Sequence, residues 1–201
     1  MKIFSKKAQI ALNSDGGIKL NLGAGDTFHN DMLNVDIRPL KSTDIVADLN
    51  EKLDLIPAKS VTEIYSRHTF EHIDNLELLL SEIKRICMPG AKLTIIVPHF
   101  SNPFGFSDPT HKRFFGIYSF CYYSKNSYFK RRNKFPKYNE SIDFFIDNIS
   151  IRFYRNTWVD RFVNPFLEWV FNKTPLVLEF YEYRISYIWP AWEIKFNLIV
   201  E

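Results

Sequence analysis

An α/β fold built on a mostly parallel, doubly wound sheet is what this sequence predicts, and three observations carry the prediction. Short runs of β-branched and aliphatic residues recur through the first half of the chain, each bounded by turn-forming or polar residues. One interval between runs places apolar residues at helical spacing, so that strand, helix and strand follow in order. Glycines and acids sit where several runs end, which is where sheets of this kind bind ligands.

The runs fall at 19–22, 33–37, 45–47, 61–65 and 92–97, and each reads as a strand. Between the last two, Leu76, Leu79, Leu80, Ile83 and Ile86 give a helix over 75–88 with one buried face, ended by Pro89 and Gly90. Only residues 24–32 separate the first run from the second. That is shorter than the dozen or so residues of an ordinary parallel crossover, so the first helix must be stunted or replaced by a turn. Further on, 142–154 and 192–200 read as strands, and 157–171 as a helix interrupted at Pro165.

Composition narrows the class. With 201 residues, 46% apolar and 24% charged, the chain reads as one ordinary globular domain. Its net charge of +3 is too small to imply nucleic acid. Cys87 and Cys121 form neither a CxxC pair nor a disulfide framework, which makes a reducing cytoplasm the default. Lys6 and Lys7 precede only a short apolar stretch, so nothing at the start reads as an export signal, and no run reaches the roughly 18 residues of a membrane span. The 19 Phe, 10 Tyr and 4 Trp lie almost wholly beyond Pro98. The chain therefore divides at about Pro98, into 19–98 and 99–201, and reads as one domain with two jobs.

Three strand ends carry the chemistry. Leu22, Gly23, Ala24, Gly25 and Asp26 form a glycine-rich turn through which backbone can approach a ligand. A dinucleotide fingerprint would need a third glycine at Phe28, which disfavours a nicotinamide cofactor. Asp36, ending the second strand, can accept two hydrogen bonds from a ribose diol. Asp48 and Leu49 follow the third strand, where an acid can meet an adenine amino group and an amide a ring nitrogen. A tight turn, a solvated strand end and a helix cap are the bland readings of the same three places.

The text LNLGAGD, NVDI, VADLN, EIYSRHTFEHI and MPGAKLTIIVP resembles the class I S-adenosylmethionine-dependent methyltransferases, in particular the group called methyltransferase type 11, over residues 19 to 98. The resemblance implies a Rossmann-like fold: a mostly parallel seven-stranded sheet with helices on both faces and an antiparallel last strand. It implies S-adenosylmethionine as cofactor, with the methionine part at Gly23, Ala24 and Gly25, the ribose at Asp36 beside Ile37, and adenine at Asp48 and Leu49. Ser66, Arg67 and His68 fall where relatives line the cleft. Asn21 departs from the family, which usually carries an acid there, and the short 24–32 link is a second departure. Homologues encoded with surface-polysaccharide enzymes resemble this short version, which points to polysaccharide biosynthesis.

Methyl transfer to a hydroxyl needs a base to take the proton, and histidine suits that task near neutrality. Four of five histidines lie between 68 and 111. His111 is the candidate base, with Asp108 to orient it, and His99, after the fifth strand, is a further candidate. Each has a plain structural reading: a local turn at Asp108 and Pro109, and a packed loop residue at His99. His72 reads foremost as a brace or cap for the following helix. His68, Glu71 and His72 have the spacing of metal ligands but form an incomplete set, so no metal is assigned.

The expected acceptor is a small molecule, a nucleotide-sugar or glycan precursor methylated on oxygen. An RNA methyltransferase is the alternative, supported by the basic run Lys130, Arg131, Arg132 and Lys134, as is a non-catalytic binding module that retains the fold. Trp158, Phe162, Phe166, Trp169 and Phe171 could form an apolar helical face for peripheral membrane contact, although burial within the domain is the plainer reading.

Overall fold

The computed structural model describes residues 1–14, 17–26, 29–130 and 135–201. Phe28 and, within the basic run, Arg131, Arg132 and Lys134 lie outside the described residues; Lys130 is exposed.

One eight-stranded sheet runs through the molecule. Its strands are β1 (Lys2–Ile3), β2 (Ile18–Leu22), β3 (Leu33–Asp36), β4 (Ile45–Val46), β5 (Val61–Arg67), β6 (Cys87–Pro98), β7 (Phe144–Arg152) and β8 (Glu193–Val200), in the order β1-β4-β3-β2-β5-β6-β8-β7. The five central strands are parallel, while β8 is antiparallel to both β6 and β7. The expected architecture is therefore present, with one strand more than the seven expected: the two-residue β1, antiparallel on the edge of β4.

The crossovers are lean. Among the described residues no helix joins β2 to β3 or β3 to β4, so none of the described residues of the short link, 24–26 and 29–32, is helical, as its length requires. The helix α1 (Lys6–Leu12) precedes β2, and α2 (Leu76–Ile86) joins β5 to β6. Asn75 caps α2 by accepting the Leu78 N–H at 3.1 Å, and Leu76, Leu79, Leu80, Ile83 and Ile86 are its buried stripe. This helix stops at Ile86 and does not reach Pro89. Cys87 already pairs with Val61 as the first residue of β6, and the register then jumps from Val61↔Cys87 to Glu63↔Lys92. Pro89, which has no N–H to donate, and Gly90, at φ +84°, occupy the irregular stretch so formed. They mark a kink in a strand.

In the second half, α3 (Pro103–Ser107), α4 (Trp158–Phe171) and α5 (Pro175–Phe180) complete the helices. α4 is continuous, with Pro165 inside it and a capping box between Thr157 and Asp160 at its start. Some of the aromatic residues, such as Phe104, Phe106 and Trp158, are exposed, while others fill the core, where Phe120 packs against Phe70 and Phe196 at ring-centroid distances of 6.4 and 4.7 Å. Each such ring contributes about 1.5–3 kcal/mol by leaving water.

Candidate functional site

The first strand of the parallel set, β2, has β3 on one side and β5 on the other, so the chain winds away from it in both directions. A crevice opens at the carboxyl ends of strands at such a reversal. Here it is a cavity of about 380 Å³, within the size range of small-molecule sites. Gly23, Gly25, Asp36, Ile37, Asp48, Leu49 and His68 line it, together with Arg38, Ala47, Asn50, Thr69, His72 and Ile73.

The turn after β2 is shaped by its glycines. Gly23 and Gly25 have φ of +66° and +56°, the left-handed region that side chains with a Cβ avoid. The N–H groups of Gly23 and Ala24 both donate to the Val35 carbonyl, at 2.8 and 3.0 Å, folding the turn against β3. The Asp36 carboxylate then spans two loops: Oδ2 accepts from Gly25 N at 2.7 Å and Oδ1 from Arg38 N at 2.8 Å. A carboxylate offers about four lone-pair sites, so acceptor capacity remains for a ribose diol. Asp48 Oδ1 accepts from Asn50 N and Nδ2 at 2.9 and 3.1 Å, so this acid both shapes a turn and faces the cavity. Apolar Ile37, Leu49 and Ile73 supply walls for a flat ring. The donor and wall set thus fits an adenosyl group.

Three residues expected at the cofactor lie off this wall. Ala24 is buried in the turn. Ser66 is buried with its hydroxyl donating to the Leu22 carbonyl at 3.0 Å, so it ties β5 to β2. Arg67 turns to Glu193, with Nη2 2.5 Å from Oε1. Thr69, Asn50 and Arg38 were not singled out from sequence; Thr69 packs so closely on Gly23 that its hydroxyl donates to Leu22 at 3.3 Å.

Two histidines, His68 and His72, also line the cavity. His68, just past β5, has φ +54°. Its Nε2 lies 2.7 Å from Glu193 Oε1 and its Nδ1 lies 3.3 Å from Glu71 Oε1. Burial alone would lower its pKa, but the hydrogen bonds and charges of Glu193 and Glu71 outweigh it and raise the value to about 9. Glu193 responds in kind: burial opposes its charge, yet His68 and Arg67 hold its carboxyl below the usual range.

His72 does not cap α2, a task Asn75 performs; it lines the cavity. Its Nδ1 lies 3.0 Å from Thr110 Oγ1, whose own proton goes to Asp108 Oδ1 at 2.6 Å, so Nδ1 is the donor. The His111 ring stands 4.8 Å from that of His72, and its Nδ1 lies 2.7 Å from the Gly105 carbonyl, which only accepts. In the neutral state both rings therefore carry their lone pair on Nε2. The Gly105 carbonyl, not Asp108, orients His111: Asp108 Oδ2 is 3.7 Å from Nε2, beyond a hydrogen bond, and Oδ1 holds Thr110, whose two hydrogen bonds lower the Asp108 pKa.

His99 is committed elsewhere. Its Nδ1 accepts from Ser101 N at 3.2 Å, so Nε2 donates to Glu182 Oε2 at 2.9 Å, and the residue is buried off the cavity wall. The ligand-capable atoms of Glu71, His72 and His111 all lie within 4.8 Å of one another. Glu71 is 1% exposed, and apart from the 3.3 Å approach of His68 Nδ1 to Oε1 its carboxylate oxygens have no partner among the described residues.

Comparison with known proteins agrees with this arrangement. Residues 27–95 match the family model of a methyltransferase domain. Among solved structures, the chain is similar to a SAM-dependent methyltransferase from Archaeoglobus fulgidus, at 16% identity and TM-score 0.56 over 96% of this chain and 90% of that one. It is also similar to an S-adenosylmethionine-dependent methyltransferase from Mesorhizobium loti, at 12% identity and TM-score 0.51 over 96% and 95%. No curated protein matches the sequence. At these identities the structural likeness is one of fold. The family match thus covers residues 27–95, and the fold is that of S-adenosylmethionine-dependent methyltransferases, whose cofactor is S-adenosylmethionine.

Proposed function

We propose that this protein transfers a methyl group from S-adenosylmethionine to a small-molecule acceptor, at an oxygen of a sugar or glycan precursor, with 19–98 serving the cofactor and 99–201 the acceptor. The observation that carries the reading is one cavity lined by Gly23, Asp36 and Asp48 together with His68 and His72. When bound, the cofactor supplies a methyl group on a cationic sulfur. Asp36 accepts from the ribose hydroxyls, Asp48 from the adenine amino group, and Ile37 and Leu49 exclude water from the ring. The acceptor hydroxyl approaches beside His72, and its proton passes to Nε2 of His111, which is not itself a lining residue but stands 4.8 Å, ring to ring, from His72 and has its tautomer set by Gly105. His72, edge-on to His111, positions it.

Incubation with methyl-labelled S-adenosylmethionine and a panel of nucleotide-sugars tests the proposal. Label should enter a sugar, and His111→Ala should lower turnover about 100-fold or more while cofactor affinity stays unchanged. Cofactor binding without label in any sugar refutes the acceptor assignment, and label in RNA in its place favours the RNA alternative. A second reading rests on the buried Glu71 carboxylate grouped with His72 and His111: a divalent cation there would activate the acceptor oxygen in place of a base. Full activity after exhaustive chelation removes that reading.

A further inference from the structure

The helix α4 is mounted with its apolar face outward. Its polar side chains point into the protein: Asn164 donates to the Tyr154 carbonyl and accepts from Trp189 Nε1 at 3.1 Å, while Glu168 accepts from Phe153 N at 2.9 Å and pairs with Arg155 at 2.6 Å. These bonds fix the rotation of the helix about its axis. Trp158, Phe162, Phe166 and Trp169, spaced four, four and three residues apart, consequently face solvent at 76, 77, 60 and 63% exposure. The expected burial of this face does not occur; of the five aromatics, only Phe171 packs against the core. Tyr187 and Ile188 extend the exposed apolar surface of the same stretch of chain.

Charge identifies the occupant. Between residues 155 and 190 the exposed charged residues are Arg155, Arg161, Lys173 and Arg184, all cations. Three of the four acids in that stretch turn inward, Glu168 to Phe153 N, Glu179 to the Tyr118 hydroxyl and Glu182 to His99, while Asp160 is tied at the surface into the capping box with Thr157. An outward face of Trp and Phe whose fully exposed charged neighbours in this stretch are cations matches the boundary of an anionic bilayer, where rings enter the interfacial zone and cations meet headgroups. A second copy of the chain would bring the same cations against one another. Among the described residues no helix is long and apolar enough to cross a membrane, so the contact is one of lying on the surface.

We infer that α4 docks the protein on an anionic lipid surface. The test is co-sedimentation of the full chain with vesicles of phosphatidylcholine alone and of phosphatidylcholine with about one-third phosphatidylserine. Sedimentation with the anionic vesicles, weakening as salt rises, is expected. The double variant Phe162→Ser, Trp169→Ser, whose side chains are exposed and whose fold is checked by circular dichroism, should lower partitioning on the order of tenfold or more. Arg161→Gln with Lys173→Gln should flatten the salt dependence. Absence of sedimentation with either vesicle, or sedimentation indifferent to the serine variant, overturns the inference. Self-association that the serine variant abolishes, without vesicle binding, assigns the face to a second copy and overturns it equally.

Discussion

Replacing Gly23 by alanine should destabilise the protein strongly, because two independent costs meet at that residue. Its backbone, at φ +66°, lies where a Cβ costs about 1–2 kcal/mol. A Cβ there would also overlap Thr69 Oγ1 and Cγ2 and come within 2.7 Å of Thr69 Cβ. Thr69 has little room to yield, since it is buried against the end of β2; forcing an extra carbon into such packing costs about 1–3 kcal/mol. The sum is about 2–5 kcal/mol, and at about 2–4 °C per kcal/mol for a chain of this size it should lower Tm by about 4–20 °C. Thr69→Ala removes the two closest atoms while losing hydrogen bonds worth about 1 kcal/mol. Thermal or urea unfolding of Gly23→Ala, Thr69→Ala and the double variant gives the coupling directly. The double variant should be less destabilised than the sum of the singles by about 1 kcal/mol or more. Strict additivity, or a Gly23→Ala protein as stable as the parent, would refute the reasoning.

The His68 and Glu193 pair should make stability fall on the alkaline side. Because the folded pKa of His68 is raised from 6.5 to about 9, its contribution is complete below pH 6.5 and lost as pH rises through 9. The unscreened figure of about 3 kcal/mol reduces to about 1–2 kcal/mol for a side chain one-third exposed; urea midpoints at pH 6 and 9 in metal-free buffer check it, and His68→Gln should abolish the slope. Glu193 works in the opposite direction: its lowered pKa contributes stability above about pH 4.5 that fades as acid is added, so Glu193→Gln should blunt the acid limb of the same measurement. Cys87 and Cys121, whose thiols burial pushes up to about 12, should react with a thiol reagent at neutral pH only as fast as the protein unfolds. Rapid labelling of the folded protein would contradict their burial.

Much of the parallel sheet was legible because its signals are local. The stripe of Leu76, Leu79, Leu80, Ile83 and Ile86 can only be a one-faced helix, and the short 24–32 link leaves no length for another. Pro89 and Gly90 were misread because their properties, a missing N–H and a free φ, end a helix and kink a strand alike. Pro165 likewise marks no break, its helix continuing through. Periodicity announces that α4 has an apolar face but not where it points; Asn164 and Glu168 settle that through partners remote in sequence. The acids and glycines of the cavity follow strand ends and were read from them. By contrast, His111 is oriented by a backbone carbonyl, which leaves no mark in a sequence, and His99 is claimed by Glu182, 83 positions away. Thr69 and Asn50 lie inside the stretches EIYSRHTFEHI and VADLN, but their place on the cavity wall emerges only from the packing around it.

Calorimetric titration of S-adenosylmethionine and of its demethylated product into the parent protein and into Asp36→Ala tests the central claim most directly. One site should be seen in the parent. Removing hydrogen bonds from a charged acceptor to the ribose should weaken it about 10- to 100-fold, with Lys19→Ala, on the exposed side of β2, unchanged as a control. Absence of binding to the parent, or equal affinity in Asp36→Ala, would contradict the assignment of this cavity to the adenosyl group.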